Sequence, residues 1–131
     1  MFLRLFSLLP LLLAGCLGDE SVSGYADPTA SYALQDLNGA PFTASATIAF
    51  PHKGVVTGQG PCNSYSATQT VPYPWIKIEN IAATKRACPD LAAEAAFFVA
   101  LQSMTLSEVL GDVLILSNDE GVEMVFKRVQ P

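Results

Sequence analysis

The chain has 131 residues, with 7 basic and 12 acidic side chains and a net charge of −5 when its one histidine is neutral. That length holds one domain, and the acidic balance repels phosphate backbones and acidic lipid headgroups, which argues against nucleic acid as a partner. The 50% hydrophobic fraction is inflated by one N-terminal stretch and does not argue for a membrane domain.

That stretch begins Met1-Phe2-Leu3-Arg4, a short start with a single positive side chain, and continues as an apolar run from Leu5 to Leu17. The run is 13 residues long, whereas a helix needs roughly 20 to span a bilayer. Pro10 also interrupts it. The pattern is that of a signal peptide rather than a retained span. It closes in Leu13-Ala14-Gly15-Cys16, which resembles the lipobox of bacterial lipoproteins at every position. Small Ala14 and Gly15 give a peptidase access to the bond before Cys16, and the thiol can carry a diacylglyceryl thioether. The expectation is therefore a signal peptide at 1–15, lipidation at Cys16, and a domain held at the cell envelope facing the periplasm. One acyl chain anchors marginally and two or more anchor stably. Leu17 rather than Asp follows the cysteine, which favours the outer membrane over the inner. Loss of Arg4 with the leader leaves six basic against twelve acidic side chains.

Residues 17–30 lack either periodicity and are rich in Gly, Ser, Asp and Pro, so a flexible tether is expected up to residue 30 and a domain over 31–131. Tyr32–Leu37 reads as a strand ending at the turn dipeptide Asn38-Gly39. Thr47–Phe50 and Val55–Thr57 flank Pro51-His52-Lys53-Gly54 as a hairpin. Tyr65–Val71 has strand composition and Trp75–Ile78 alternates, while Pro72 and Pro74 restrict any strand there to an edge or a break. A helix is predicted over Pro89–Gln102, with Pro89 in its first turn and Asp90 and Glu94 near the positive end of its dipole. Leu91, Ala95, Phe98 and Gln102 form one stripe, and Phe97, Leu101 and Met104 its neighbour. Thr105–Leu110, Val113–Ser117 and Val122–Val129 form a meander through Gly111-Asp112 and Asn118–Gly121. The class is α+β: a small, mainly antiparallel sheet with one main helix packed against it.

Two stretches resemble the META domain family, to which HslJ-like bacterial lipoproteins belong. One is Gly58-Gln59-Gly60-Pro61-Cys62-Asn63-Ser64-Tyr65-Ser66. The other is Ala83-Thr84-Lys85-Arg86-Ala87-Cys88-Pro89-Asp90, followed by Glu94 and Phe97-Phe98. The late pattern Gly111-Asp112-x-Leu114-x-Leu116, Gly121 and Met124-Val125-Phe126 fits as well. Pro61 and Ala67 stand where the family favours glycine, which stiffens the Cys62 turn. The resemblance implies a mixed sheet or partly open barrel with the helix laid against it, and it implies no catalytic activity.

Besides Cys16, the cysteines are Cys62 and Cys88. In an oxidising compartment such a pair reads first as a disulfide, which would stabilise the fold by roughly 3.5 kcal/mol in the chain-entropy model. A reactive thiol and a metal pair are the alternatives. Zinc wants about four ligands, and with one histidine and no Cys-x-x-Cys no metal and no cofactor is expected. His52 lies in a turn with no local nucleophile. Lys85-Arg86 could meet an anion but more often such a pair faces water. Tyr65, Tyr73 and Trp75 suit either a contact surface or half-buried strand positions. With no catalytic set visible, the sequence favours a non-catalytic envelope module with a protein partner, then a carrier of an apolar ligand, and, last, an enzyme.

Overall fold

The computed structural model describes residues 18–129, so the leader at 1–15 and Cys16 lie outside the described residues. Nine strands and one α-helix follow a short 3-10 turn at Val22–Gly24. In chain order they are β1 (Tyr32–Leu37), β2 (Ala40–Pro41), β3 (Thr47–His52), β4 (Val55–Gln59), β5 (Ser64–Thr68), β6 (Glu79–Ala83), α1 (Leu91–Ser103), β7 (Leu106–Leu110), β8 (Val113–Ser117) and β9 (Glu123–Arg128). Every pairing is antiparallel, in the order β6-β5-β4-β3-β1-β9-β8-β7, with β2 on β1. The sheet curls strongly into a half-barrel with one helix. Among the described residues no helix is long and apolar enough to cross a membrane.

Period-two alternation builds the inner face. Tyr32 and Leu34 on β1, Ile48 and Phe50 on β3, Leu114 and Leu116 on β8, and Met124 and Phe126 on β9 are all buried. The register sets them against one another: Tyr32 faces Ile48, and Phe126 faces both Leu34 and Leu114. Such cross-strand pairs are the unit of sheet stability. At the β1–β2 turn Asn38 and Gly39 both have positive φ, 52° and 80°, the conformation a two-residue hairpin demands and these residue types tolerate. The three C-terminal strands match the predicted meander to within a residue or two.

Three expectations change. The strand expected over Tyr65–Val71 stops at Thr68, because Gln69 buries its amide, donating to Val71 O and accepting from Val71 N–H. Trp75–Ile78 alternates as expected, with Ile76 and Ile78 buried, but makes only a single bridge, Trp75 to Leu106. Ile76 N–H donates to Thr105 O at 3.0 Å and Ser107 N–H to Pro74 O at 2.7 Å. This segment therefore reaches from β7, at one end of the sheet, into β6 at the other. It covers the start of an edge strand that would otherwise be open to pairing. Its continuation β6 had no strand signal in Glu-Asn-Ile-Ala-Ala, and it pairs only through β5.

The third change concerns residues 18–30, expected as a tether. Val22, Ala26 and Ala30 are buried in the core cluster. The Asp19 carboxylate accepts from Ser21 N–H and from the hydroxyls of Ser21 and Ser23. Asp27 N–H donates to Tyr32 Oη, and the Asp27 carboxylate pairs with Arg128 at 2.7 Å. A polar sequence packs here because its carboxylates bond its own hydroxyls and N–H groups, leaving the few apolar side chains free to enter the core.

Candidate functional site

The two motif stretches meet at one place. The first forms the loop from Gly60 to Asn63 between β4 and β5, and the second leads from β6 into α1. Cys62 and Cys88 are joined as a disulfide, with Cα atoms 5.7 Å apart, inside the range a disulfide spans without backbone movement. That bond removes both the free-thiol and the metal-pair alternatives, since neither sulfur remains a thiolate.

Behind the disulfide lies a buried polar hub centred on Asn63. Its Oδ1 accepts from Arg86 N–H at 2.6 Å and from Thr84 Oγ1 at 2.9 Å. Its Nδ2 donates to Glu94 Oε1 at 2.7 Å and to Arg86 O at 3.1 Å. Its own N–H donates to Glu94 Oε2 at 2.7 Å, and its carbonyl accepts from Gly60 N–H. Two lone pairs and two N–H groups are all an asparagine side chain has, so Asn63 is fully used. Through Asn63 the amide group grips both polar atoms of Arg86's backbone, as a neighbouring strand would.

Glu94 is the other half of the hub. It sits in the first turn of α1, only 6% exposed, and receives Cys62 N–H at 2.8 Å in addition to the two bonds from Asn63. Burial pushes its carboxyl pKa up; the donors from the Asn63 side chain and from the Cys62 and Asn63 backbone outweigh that and hold it below the ordinary value. Among the described residues the ion pairs are Lys77–Glu79 and Arg128–Asp27, so the Glu94 charge is met by N–H groups rather than by a cation. Gly60 is required by this packing: a Cβ there would stand 2.8 Å from Glu94 Oε2 and 3.1 Å from Asn63 O.

The hub turns the helix. Its buried face is Glu94, Phe97, Ala100 and Leu101, the second of the two predicted stripes with a carboxylate added. The first stripe does not pack as expected: Leu91 is 45% exposed, Ala95 and Gln102 are also exposed, and Phe98 is half-buried. Phe97 packs edge-on to Tyr65 with centroids 5.7 Å apart, and Phe42 lies at 6.4 Å. Tyr65 donates its hydroxyl to Thr47 O at 2.6 Å, and burial pushes its pKa up. Thus Cys62 ties the loop covalently to the segment leading into the helix, Asn63 ties it to the helix through the polar hub, and Tyr65 on β5 adds an aromatic contact.

The remaining sequence candidates lie apart from this hub or face outward. His52 is exposed at the opposite end of the β3–β4 hairpin, paired across the turn with Val55. Lys85 and Arg86 are exposed, although the Arg86 backbone is held by Asn63. Of the three aromatic residues Tyr65 belongs to the core, Tyr73 is half-buried against it, and Trp75 is 55% exposed. Sequence reasoning missed the Asn63–Glu94 partnership. Its signals were an asparagine directly after a half-cystine and a glutamate within the helix's inward face.

A META domain model matches residues 27–131. The fold is similar to a DUF4847 family protein from Bacteroides vulgatus, with a TM-score of 0.67 at 15% identity over 82% of this chain and 96% of that one. It is also similar to a protein from Burkholderia xenovorans, with a TM-score of 0.63 at 18% identity over 78% and 83% of the two chains. Among curated proteins none matches in sequence.

Proposed function

This chain belongs to the META domain family, and on that premise we propose that it is a lipid-anchored protein of the cell envelope whose domain is a non-catalytic binding or structural module. The observation that carries the reading is the saturation of the hub. The polar groups that the two motifs bring together, above all Asn63 and the Glu94 carboxylate, are consumed in holding a loop to a helix. A general acid, base or nucleophile needs a reacting atom within reach and a proton to exchange. Glu94 instead has its charge locked against three N–H donors, and the sulfurs are paired. The lipobox ending in Cys16 supports attachment to a membrane, the outer one where the host has two, with the domain facing the periplasm and an envelope protein as its partner. Heat-inducible members of the family suggest a role under envelope stress.

The carrier reading receives less support. The space beneath residues 91–101, where an apolar ligand would sit, is occupied by the fully buried Phe97 and Leu101 and by the Phe97 contacts with Tyr65 and Phe42. The test is complementation of a deletion strain. Cys16→Ala should abolish fatty-acid labelling and cleavage by the lipoprotein signal peptidase. His52→Ala should restore the wild-type phenotype in full. Loss of the phenotype with His52→Ala, at unchanged melting temperature and membrane attachment, would overturn the non-catalytic reading.

A further inference from the structure

The strap at residues 18–30 carries one exposed aromatic side chain, and it is not isolated. Tyr25, 54% exposed, stacks on Tyr73 with ring centroids 4.1 Å apart and planes 15° from parallel. Tyr73 and Trp75 share the turn closed by Trp75 N–H donating to Pro72 O at 2.9 Å. The Tyr73 hydroxyl oxygen accepts from Val109 N–H, which places the exposed Leu110 next along the chain from that contact. The exposed Tyr25 and the protein's single tryptophan are thus linked through Tyr73, one by ring stacking and the other by the shared turn, while Tyr73 itself is half-buried against the core.

The position of this surface relative to the N-terminus is constrained. Tyr73 N–H donates to Glu20 O at 2.7 Å, and Glu20 is four residues after Cys16. Four residues span at most about 14 Å even when fully extended. Whatever path Leu17 and Gly18 take, Tyr73 cannot be far from Cys16. If Cys16 sits at a bilayer surface, a linker this short keeps Tyr73 beside that surface, close enough for the domain to turn these rings onto the headgroups. Tyr and Trp are the side chains that favour that layer.

We infer that Tyr25, Tyr73 and Trp75 rest in the headgroup region of the membrane that holds Cys16, so that the domain is docked in one orientation rather than swinging from its anchor. The inference rests on the lipid-anchor reading above. The charge around the surface selects the lipid. Lys77 is paired with Glu79 at 3.2 Å, Asp19 is turned onto Ser21 and Ser23, and Glu20 is exposed. Lys53, exposed and close enough to Asp19 to act on its carboxylate, adds a cation beside these acids, so charges of both signs border the surface and the lipid it fits is zwitterionic.

Trp75, as the only tryptophan, reports its own surroundings. The full-length gene product, purified from membranes, would be weighed intact and reconstituted into phosphatidylethanolamine–phosphatidylcholine vesicles. Lipids brominated high on the acyl chain should quench most of the Trp75 emission, and aqueous iodide should quench it several-fold less than it quenches a free tryptophan analogue. Tyr25→Ser, which removes the ring stacked on Tyr73, should weaken the lipid quenching while lowering the melting temperature by only about a few degrees. An acylated protein whose Trp75 remains fully open to iodide would overturn the docking while leaving the anchor intact. Protection from iodide without quenching by brominated lipid, accompanied by cross-linked dimers, would overturn it in favour of a second copy. A mass showing no acyl group would overturn the anchor itself, and the docking with it.

Discussion

The C-terminal meander and the Asn63 hub hold the same domain together by opposite means. In β7–β9 adjacent strands are joined by short turns, and stability comes from apolar side chains meeting across the register: Leu114 opposite Phe126, Leu116 opposite Met124. No single pair is indispensable to the pattern, because the hydrophobic effect is non-directional and additive in area. The hub joins residues 31 positions apart, Asn63 and Glu94, through directional bonds that leave no spare capacity. There each group depends on every other, since an unpartnered buried donor or acceptor costs its full desolvation. A meander can lose a methyl group and relax; a saturated hub cannot lose a partner without leaving another stranded.

The sharpest way to break that comparison is a large cavity on the meander side. Phe126→Ala removes a fully buried ring packed on both Leu34 and Leu114 and should lower stability by about 4 kcal/mol in denaturant unfolding, the usual range for such truncations. Next is the covalent part of the hub. The double variant Cys62→Ser/Cys88→Ser should cost about 3.5 kcal/mol, mostly by freeing the unfolded chain. Because the hydrogen bonds to Glu94 remain, it should refold to the same helix orientation. If it instead unfolds at room temperature, the hub is held by its disulfide and not by its polar bonds.

The smallest effect is the most diagnostic. Glu94→Gln keeps the shape but turns an NH2 group toward donors, and should cost about 2 kcal/mol at neutral pH. The pH dependence carries a sign. The folded pKa of Glu94 lies below its ordinary value of 4.5. Its stabilisation is therefore complete above that value and is lost as pH falls through the folded one. Asp19 and Asp27 are also held below the ordinary carboxylate value, Asp19 by its serines against the opposing effect of burial and Asp27 chiefly by Thr29. Both add acid sensitivity of the same sign to either protein. The difference between wild type and Glu94→Gln isolates the hub. It should hold steady near pH 6 and shrink as the pH falls through 4.5 towards 3. A difference constant across that window would mean that Glu94 is not ionised in the folded protein.

The same contrast explains what could be read in advance. The meander was legible because its information is local: alternation of Leu114, Leu116, Met124 and Phe126, and turns at Gly111 and Gly121. The single helix was legible from its alanine-rich run and from Pro89, yet its orientation was not, because Leu91 and Phe97 carry equal apolar weight. The disulfide was legible from the pair of cysteines left after Cys16. β6 was invisible, since Glu-Asn-Ile-Ala-Ala forms a strand only because β5 offers an edge.

Sequence alone determined the alternation, the tight turns, the presence of one helix and the family motifs, all of which depend on neighbours within a few positions. Only the tertiary structure decided that Glu94 faces inward, that Asn63 receives it, and that residues 18–30 pack instead of hanging free. The physical reason is that a polar side chain has no intrinsic address. A carboxylate is equally at home in water or buried against three N–H groups, and which of these it meets is settled by where the rest of the chain has already folded.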